Sequence, residues 1–136
     1  MKIVYSNNEG FTLVELLVVL TIVSIMASVT VSVSYSMYQG YQAAVEAEKI
    51  VAVISSIRLE SFLYNQEKEL LTKEGSLMIN NEAVKGFNNI FFSIEQPIKY
   101  FKTGTTSGGT IKMKFKNYKF ALNIKSPFGD MTLNRE

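Results

Sequence analysis

The hydrophobic pattern begins with a long apolar run that a single charge interrupts. From Phe11 to Val31 the chain has 21 residues, of which only Glu15 is charged. A helix of this length covers about 30 Å, the thickness of the hydrocarbon core of a bilayer. The run therefore predicts a transmembrane helix. A carboxylate at the bilayer centre costs on the order of 3 kcal/mol, so we expect Glu15 to have a partner.

The helical pattern continues beyond the apolar run. Between Ser28 and Ser34 valines alternate with hydroxyl residues of poor helix propensity, and we favour continued helix over a soft segment that extends or melts on packing. From Tyr41 to about Gln66 apolar residues recur at helical spacing, which predicts an amphipathic second half of the same helix. The predicted buried stripe is Ala44, Ala47, Ile50, Ile54 and Ile57, widened by Leu59, Phe62 and Leu63. The charged residues of this half, which include Glu48 and Arg58, are interpreted as a solvated face.

The period changes to two after the helix, as expected for strands. Strands are predicted at 70–72, 77–79, 90–94, 98–102, 110–116, 119–125 and 131–133, separated by turns at 74–76, 103–109, near Asn117 and at 126–129. The predicted fold class is α+β: a long N-terminal helix, half transmembrane and half amphipathic, packed on a small, mostly antiparallel β-sheet head.

The hexapeptide Gly10-Phe11-Thr12-Leu13-Val14-Glu15 opens the apolar run. The hexapeptide and the apolar run together resemble the class III signal of type IV prepilins and pseudopilins. The resemblance implies that a prepilin peptidase cuts between Gly10 and Phe11, that Phe11 is then N-methylated, and that Glu15 pairs with the α-amino group of a neighbouring subunit during assembly. It also implies a leader at 1–10, a transmembrane and filament-core half of the helix at 11–39, and a soluble head at 40–136.

The tail adds a second, less specific resemblance. From Ile98 to Leu133 the order of glycines and alternating strands is similar to the head of minor pseudopilins of type II secretion, fimbrial and DNA-uptake systems. We therefore expect a minor pilin or pseudopilin that serves DNA uptake (competence) or secretion, with other pilin subunits and the prepilin peptidase as partners. The expected location is the cell membrane, crossed once, with the head outside the cytoplasm and the assembled form in a filament.

Two alternatives remain open at the N-terminus. Thr12-x-x-Glu15 has the spacing of a helix capping box, a role that is compatible with assembly. A conventional secretory signal cut after Ala27 would release the whole anchor. The leader is unusual for a prepilin, because its one basic residue is Lys2 and Glu9 stands beside Gly10.

Charge is unevenly distributed along the chain. Residues 11–96 hold nine acids and five bases, whereas residues 97–129 hold seven lysines and no acid. In the predicted tail hairpin, lysines alternate with apolar residues, so one face is apolar and the other is basic. The candidate DNA-binding residues are Lys112, Lys114, Lys116, Lys119 and Lys125. The alternative is that these lysines prevent edge-to-edge pairing of the sheet.

The composition supports no catalytic chemistry. The chain contains no cysteine and no histidine, which removes disulfides, thiolate nucleophiles and the commonest general base. We predict no catalytic residue, no metal site and no cofactor. If DNA is bound, rows of lysine without arginine favour weak, salt-sensitive contacts with phosphates over base-specific recognition.

Overall fold

The structure is a computed structural model, and it describes residues 10–136. Most of the predicted leader, residues 1–9, lies outside this range. The described elements are one helix, α1 (Leu13–Leu63), and eight strands: β1 (Lys68–Lys73), β2 (Ser76–Ile79), β3 (Glu82–Ala83), β4 (Ile90–Ile94), β5 (Ile98–Tyr100), β6 (Gly109–Phe115), β7 (Tyr118–Lys125) and β8 (Asp130–Arg135). The α+β prediction is confirmed. The chain divides into two compact units, one ending at Gln39 and the other spanning Gly40–Glu136.

The first unit is helical from Leu13 onward, and its large apolar side chains are exposed. Its hydroxyl side chains bond to the carbonyl oxygens of the preceding turn. Thr21 donates to Leu17 at 2.8 Å, Ser24 to Leu20 at 2.7 Å, and Ser28 to Ser24 at 2.6 Å. Because these polar groups are satisfied within the helix, they do not need water. The segment 28–34 is helical, as predicted, and Thr30 and Ser32 bond to the preceding turn in the same way.

The second unit contains two four-stranded antiparallel sheets where the sequence suggested a single small one. Their strand orders are β3-β2-β1-β5 and β4-β6-β7-β8. The sheets separate because β4 and β5, which follow each other in the chain, pair with different partners: β4 with β6, and β5 with β1. Two hydrogen bonds connect the sheets: the Phe92 amide donates to the Gly75 carbonyl at 2.8 Å, and the Ile94 amide to the Thr72 hydroxyl at 3.3 Å.

Gly75 is required at this junction by both backbone and space. Its φ is +78°, and a Cβ there would lie 2.7 Å from the Phe91 ring. A side chain at this position would push the turn between β1 and β2 away from β4.

The second half of α1 contributes one narrow stripe to the core. The buried residues of this stripe are Ala43, Ala47, Ile50, Ile54, Ile57 and Ser61. The spacing of three and four residues keeps them on one face. They pack in one hydrophobic cluster with side chains from both sheets, including Leu70, Ile98, Ile111 and Leu122.

The prediction that Leu59, Phe62 and Leu63 widen this stripe was wrong. Their side chains are 57%, 59% and 63% exposed. At about 100° per residue, Leu59 and Leu63 lie roughly 200° and 240° around the helix from Ile57, on the side away from the core. Ala44 is half-buried, and Ala43 takes the fully buried position instead.

The predicted strands agree with β1, β2 and β4 to β8, with shifts of at most two residues at their ends. Strand β3, only two residues long, was not predicted. Lys116 was assigned to a strand, but it follows β6 in the turn and has a φ of +52°.

Candidate functional site

Glu15 and Thr12 form a reciprocal cap at the start of α1. The Glu15 amide donates to the Thr12 hydroxyl at 3.2 Å, and the Glu15 carboxylate accepts from the Thr12 amide at 3.0 Å and from its hydroxyl at 3.2 Å. Thr12 is thus the N-cap residue and Glu15 the third helical residue, the geometry of a capping box. The capping box that the spacing of Thr12 and Glu15 suggested is therefore present in the structure. It satisfies two amides that the helix itself leaves without partners.

The cap leaves the negative charge of Glu15 without a cationic partner. Among residues 10–136, no lysine or arginine forms an ion pair with this carboxylate. The positive end of the helix dipole favours a carboxylate in the first turn, but it does not neutralise one inside a membrane.

Gly10 and Phe11 lie next to the cap and are open to solvent. Phe11 is 85% exposed. A Cβ built on Gly10 would meet no atom within 4 Å. No contact within the described chain therefore requires glycine at this position.

The N-terminal half of α1 has the length and composition of a membrane span. Among the described residues, α1 is the one helix with these properties, and its most apolar stretch is 0% buried within the structure. Length and composition alone would also fit a signal sequence, so the residues around Glu15 decide between the two.

The family model of the prokaryotic N-terminal methylation motif matches residues 5–31. The chain has the N-terminus of a type IV prepilin-like protein. The match includes Gly10, Phe11 and Glu15, and it ends before the head. The motif implies processing by prepilin peptidase, assembly with other pilins and a single membrane span. No curated protein and no solved structure matches the chain.

The head of this prepilin-like chain brings three of its candidate lysines to one cleft, which is lined by Lys112, Lys114 and Lys119. Lys114 and Lys119 face each other across β6 and β7. Lys125 lies at the far end of β7 opposite Asp130, about 20 Å along the strand from Lys119. Lys116 lies in the turn, with its ammonium 5.4 Å from the centroid of the Phe115 ring. Lys116 and Lys125 do not line the cleft that the other three candidate lysines share.

Lys112 is already engaged by an acid. Its ammonium contacts the Glu95 carboxylate at 2.9 Å. The hydrogen bond and charge of Lys112 lower the pKa of Glu95, and those of Glu95 raise the pKa of Lys112. Both side chains are at least half exposed, so the pair contributes little to stability. It does reduce the positive charge available to a ligand, and DNA binding by the five lysines stays a prediction.

Arg58 is the residue whose environment the sequence did not reveal. It was assigned to a solvated face, yet it is half-buried, and its Nε donates to the Gly104 carbonyl at 3.1 Å. It lines a cleft of about 400 Å³ with Ser55, Leu59, Phe62, Thr103 and Gly104. No signal in the sequence connects Arg58 to Gly104, because the two are 46 residues apart.

Tyr100 lies in the core near this arginine. Burial is the main cause that raises the pKa of Tyr100 to about 12, and the nearby Arg58 charge opposes the effect. Among residues 10–136, no group of three His, Cys, Asp or Glu side chains could hold a metal ion.

Proposed function

We propose that this chain is a minor pilin or pseudopilin, a structural or initiating subunit of a type IV pilus-like filament. It is made as a membrane precursor and cut by prepilin peptidase after Gly10. The observation that carries this proposal is the methylation motif at residues 5–31, which coincides with a capped Glu15 at the start of a membrane-length helix.

Cleavage would supply the partner that Glu15 lacks. Cutting after Gly10 creates a new α-amino group on Phe11, close to the start of α1. When subunits stack, the amine of one copy meets the Glu15 carboxylate of its neighbour. Because both charges would lie among apolar helices, each would be unfavourable alone, and their pairing would favour the assembled state. N-methylation of Phe11 keeps the amine positively charged.

The filament would function in DNA uptake or in secretion. The head would lie outside the cytoplasm. The runner-up is a tip-located subunit that captures DNA or a surface ligand. The neighbouring Lys114 and Lys119 support it, since they are cross-strand neighbours for which the structure shows no ion pair among the described residues. The engaged Lys112 and the distant Lys125 favour the structural role over a binding role.

The mature N-terminus tests the proposal. We expect the intact mass of the protein extracted from membranes to correspond to a methylated chain that starts at Phe11. The variant Gly10→Val should remain uncut, while its fold should be unchanged because the space around Gly10 is open. A mature chain that starts at Ser28 would instead establish a secretory signal.

A further inference from the structure

The last turns of α1 present apolar side chains to solvent. Leu59, Phe62 and Leu63 are all more than half exposed, and their spacing of three and four residues makes them neighbours on the helix surface. Contiguous exposed apolar residues are a feature of protein interaction sites.

Arg58 borders this patch and lacks an acidic partner. Its Nε is bonded to the Gly104 carbonyl, but no carboxylate of residues 10–136 forms an ion pair with its guanidinium. A half-buried guanidinium can still accept a carboxylate in a charge-assisted pair. Arginine is also enriched among the residues that dominate binding energy at protein interfaces. We refer to Arg58, Leu59, Phe62 and Leu63 as the Arg58 surface.

The same helix carries a complementary surface ten residues earlier. Glu48 is exposed and belongs to none of the ion pairs of the described residues. Ala52, one turn further on, is exposed and small. Arg58 lies ten residues after Glu48, and Phe62 lies ten residues after Ala52. Ten residues of helix correspond to about 15 Å. If one helix is displaced by ten residues along a second copy, Arg58 therefore lies beside Glu48 of that copy. The large Phe62 side chain then lies beside the small Ala52.

We propose that the Arg58 surface docks the Glu48 and Ala52 face of α1 in a second copy of this chain, parallel to the first and displaced by ten residues. The inference rests on the proposed function, because anchors in one membrane make the helices parallel. It adds that copies of the chain are neighbours in the assembly. The two surfaces differ, so a pair of copies leaves one Arg58 surface and one face with Glu48 and Ala52 unoccupied at its ends.

Cysteine cross-linking tests this docking, since the chain has no cysteine of its own. Full-length Ala52→Cys and Phe62→Cys chains with different tags are expressed together, and their membranes are oxidised. We expect a mixed disulfide dimer, at least tenfold more abundant than the dimers of either variant expressed alone. Phe62→Cys combined with Lys73→Cys, an exposed position at the end of β1, is the matched control and should give no enrichment.

Charge exchange then tests the named pair. Arg58→Glu in the Phe62→Cys chain, or Glu48→Arg in the Ala52→Cys chain, should each lower the mixed dimer about tenfold, and the two together should restore it. If Arg58→Glu disturbs the fold of the head, Glu48→Arg alone still tests the pair. Glu48 is exposed, so its replacement should leave the fold intact. The proposal is overturned by dimers that join two copies of residue 52, by a cross-link to a protein of different mass, or by absence of the mixed dimer.

The intact mass of the same chains separates this inference from the proposed function. A chain cut at Gly10 that gives no mixed dimer overturns the docking surface alone. An uncut chain that still gives the mixed dimer supports the docking surface and contradicts the proposed processing.

Discussion

The two roles of Glu15, helix cap and assembly charge, can be separated by substitution. Glu15→Gln retains an oxygen that can accept from the Thr12 amide, because glutamine also serves at this position of a capping box. It removes the negative charge. Thr12→Ala does the reverse, since it removes the hydroxyl that accepts from the Glu15 amide at 3.2 Å and leaves the carboxylate in place.

The expected magnitudes differ enough to be distinguished. Loss of the N-cap side chain costs about 1 kcal/mol, and it affects the first turn of a helix that is 51 residues long. Incorporation of Thr12→Ala into filaments should therefore fall by a factor of about five or less. Removing one partner of a buried ion pair costs about 3 kcal/mol or more, so Glu15→Gln should lower incorporation at least a hundredfold.

The assay compares sheared filaments with the membrane fraction for each variant. Processing after Gly10 should be normal for Glu15→Gln, since loss of a charge makes insertion of the apolar run easier. Thr12→Ser, which keeps the capping hydroxyl, is the matched control for Thr12→Ala. Wild-type incorporation of Glu15→Gln together with failure of Thr12→Ala would show that Glu15 acts only as a cap, and the assembly role would be refuted.

Three further predictions concern the head. Leu122→Ala, at a fully buried position, should lower the free energy of unfolding of residues 40–136 in urea by about 2–5 kcal/mol, whereas exposed Leu63→Ala should change it by less than about 1 kcal/mol; equal effects would contradict the core assignment. Burial raises the pKa of Tyr100 from 10.0 to about 12. The neutral phenol therefore contributes its full stabilisation below pH 10. This contribution is roughly 3 kcal/mol, and it is lost as the pH rises to about 12. Urea titrations should show this loss in the wild type and not in Tyr100→Phe, and matching slopes would refute it. If DNA binds, fluorescence anisotropy should show that Lys114→Gln and Lys119→Gln each lower the salt slope by about 0.9. Lys112→Gln should lower the slope less than either of them, because Glu95 already pairs with Lys112; an equal or larger effect of Lys112→Gln would contradict this.

Local patterns in the sequence predicted the helix and seven of the eight described strands, and they located the methylation motif and the cap at the start of α1. The apolar run, the hexapeptide around Gly10 and the alternation of Ile111, Met113 and Phe115 depend on neighbours in the chain. Such signals report which side of a helix or strand is apolar. The motif at residues 5–31 and the capping of Thr12 by Glu15 agree with them.

Only the tertiary structure decided which apolar residues are covered and which charges meet. Leu59 and Phe62 are as hydrophobic as their buried neighbours, but the sheets cover a stripe too narrow to include them. Arg58 meets Gly104 across 46 residues, and the separation of the two sheets depends on whether β4 pairs with β6 or with β5. Strand pairing and burial depend on residues distant in sequence, so a local pattern cannot specify them, although it specifies the anchor, the cap and the alternation of each strand.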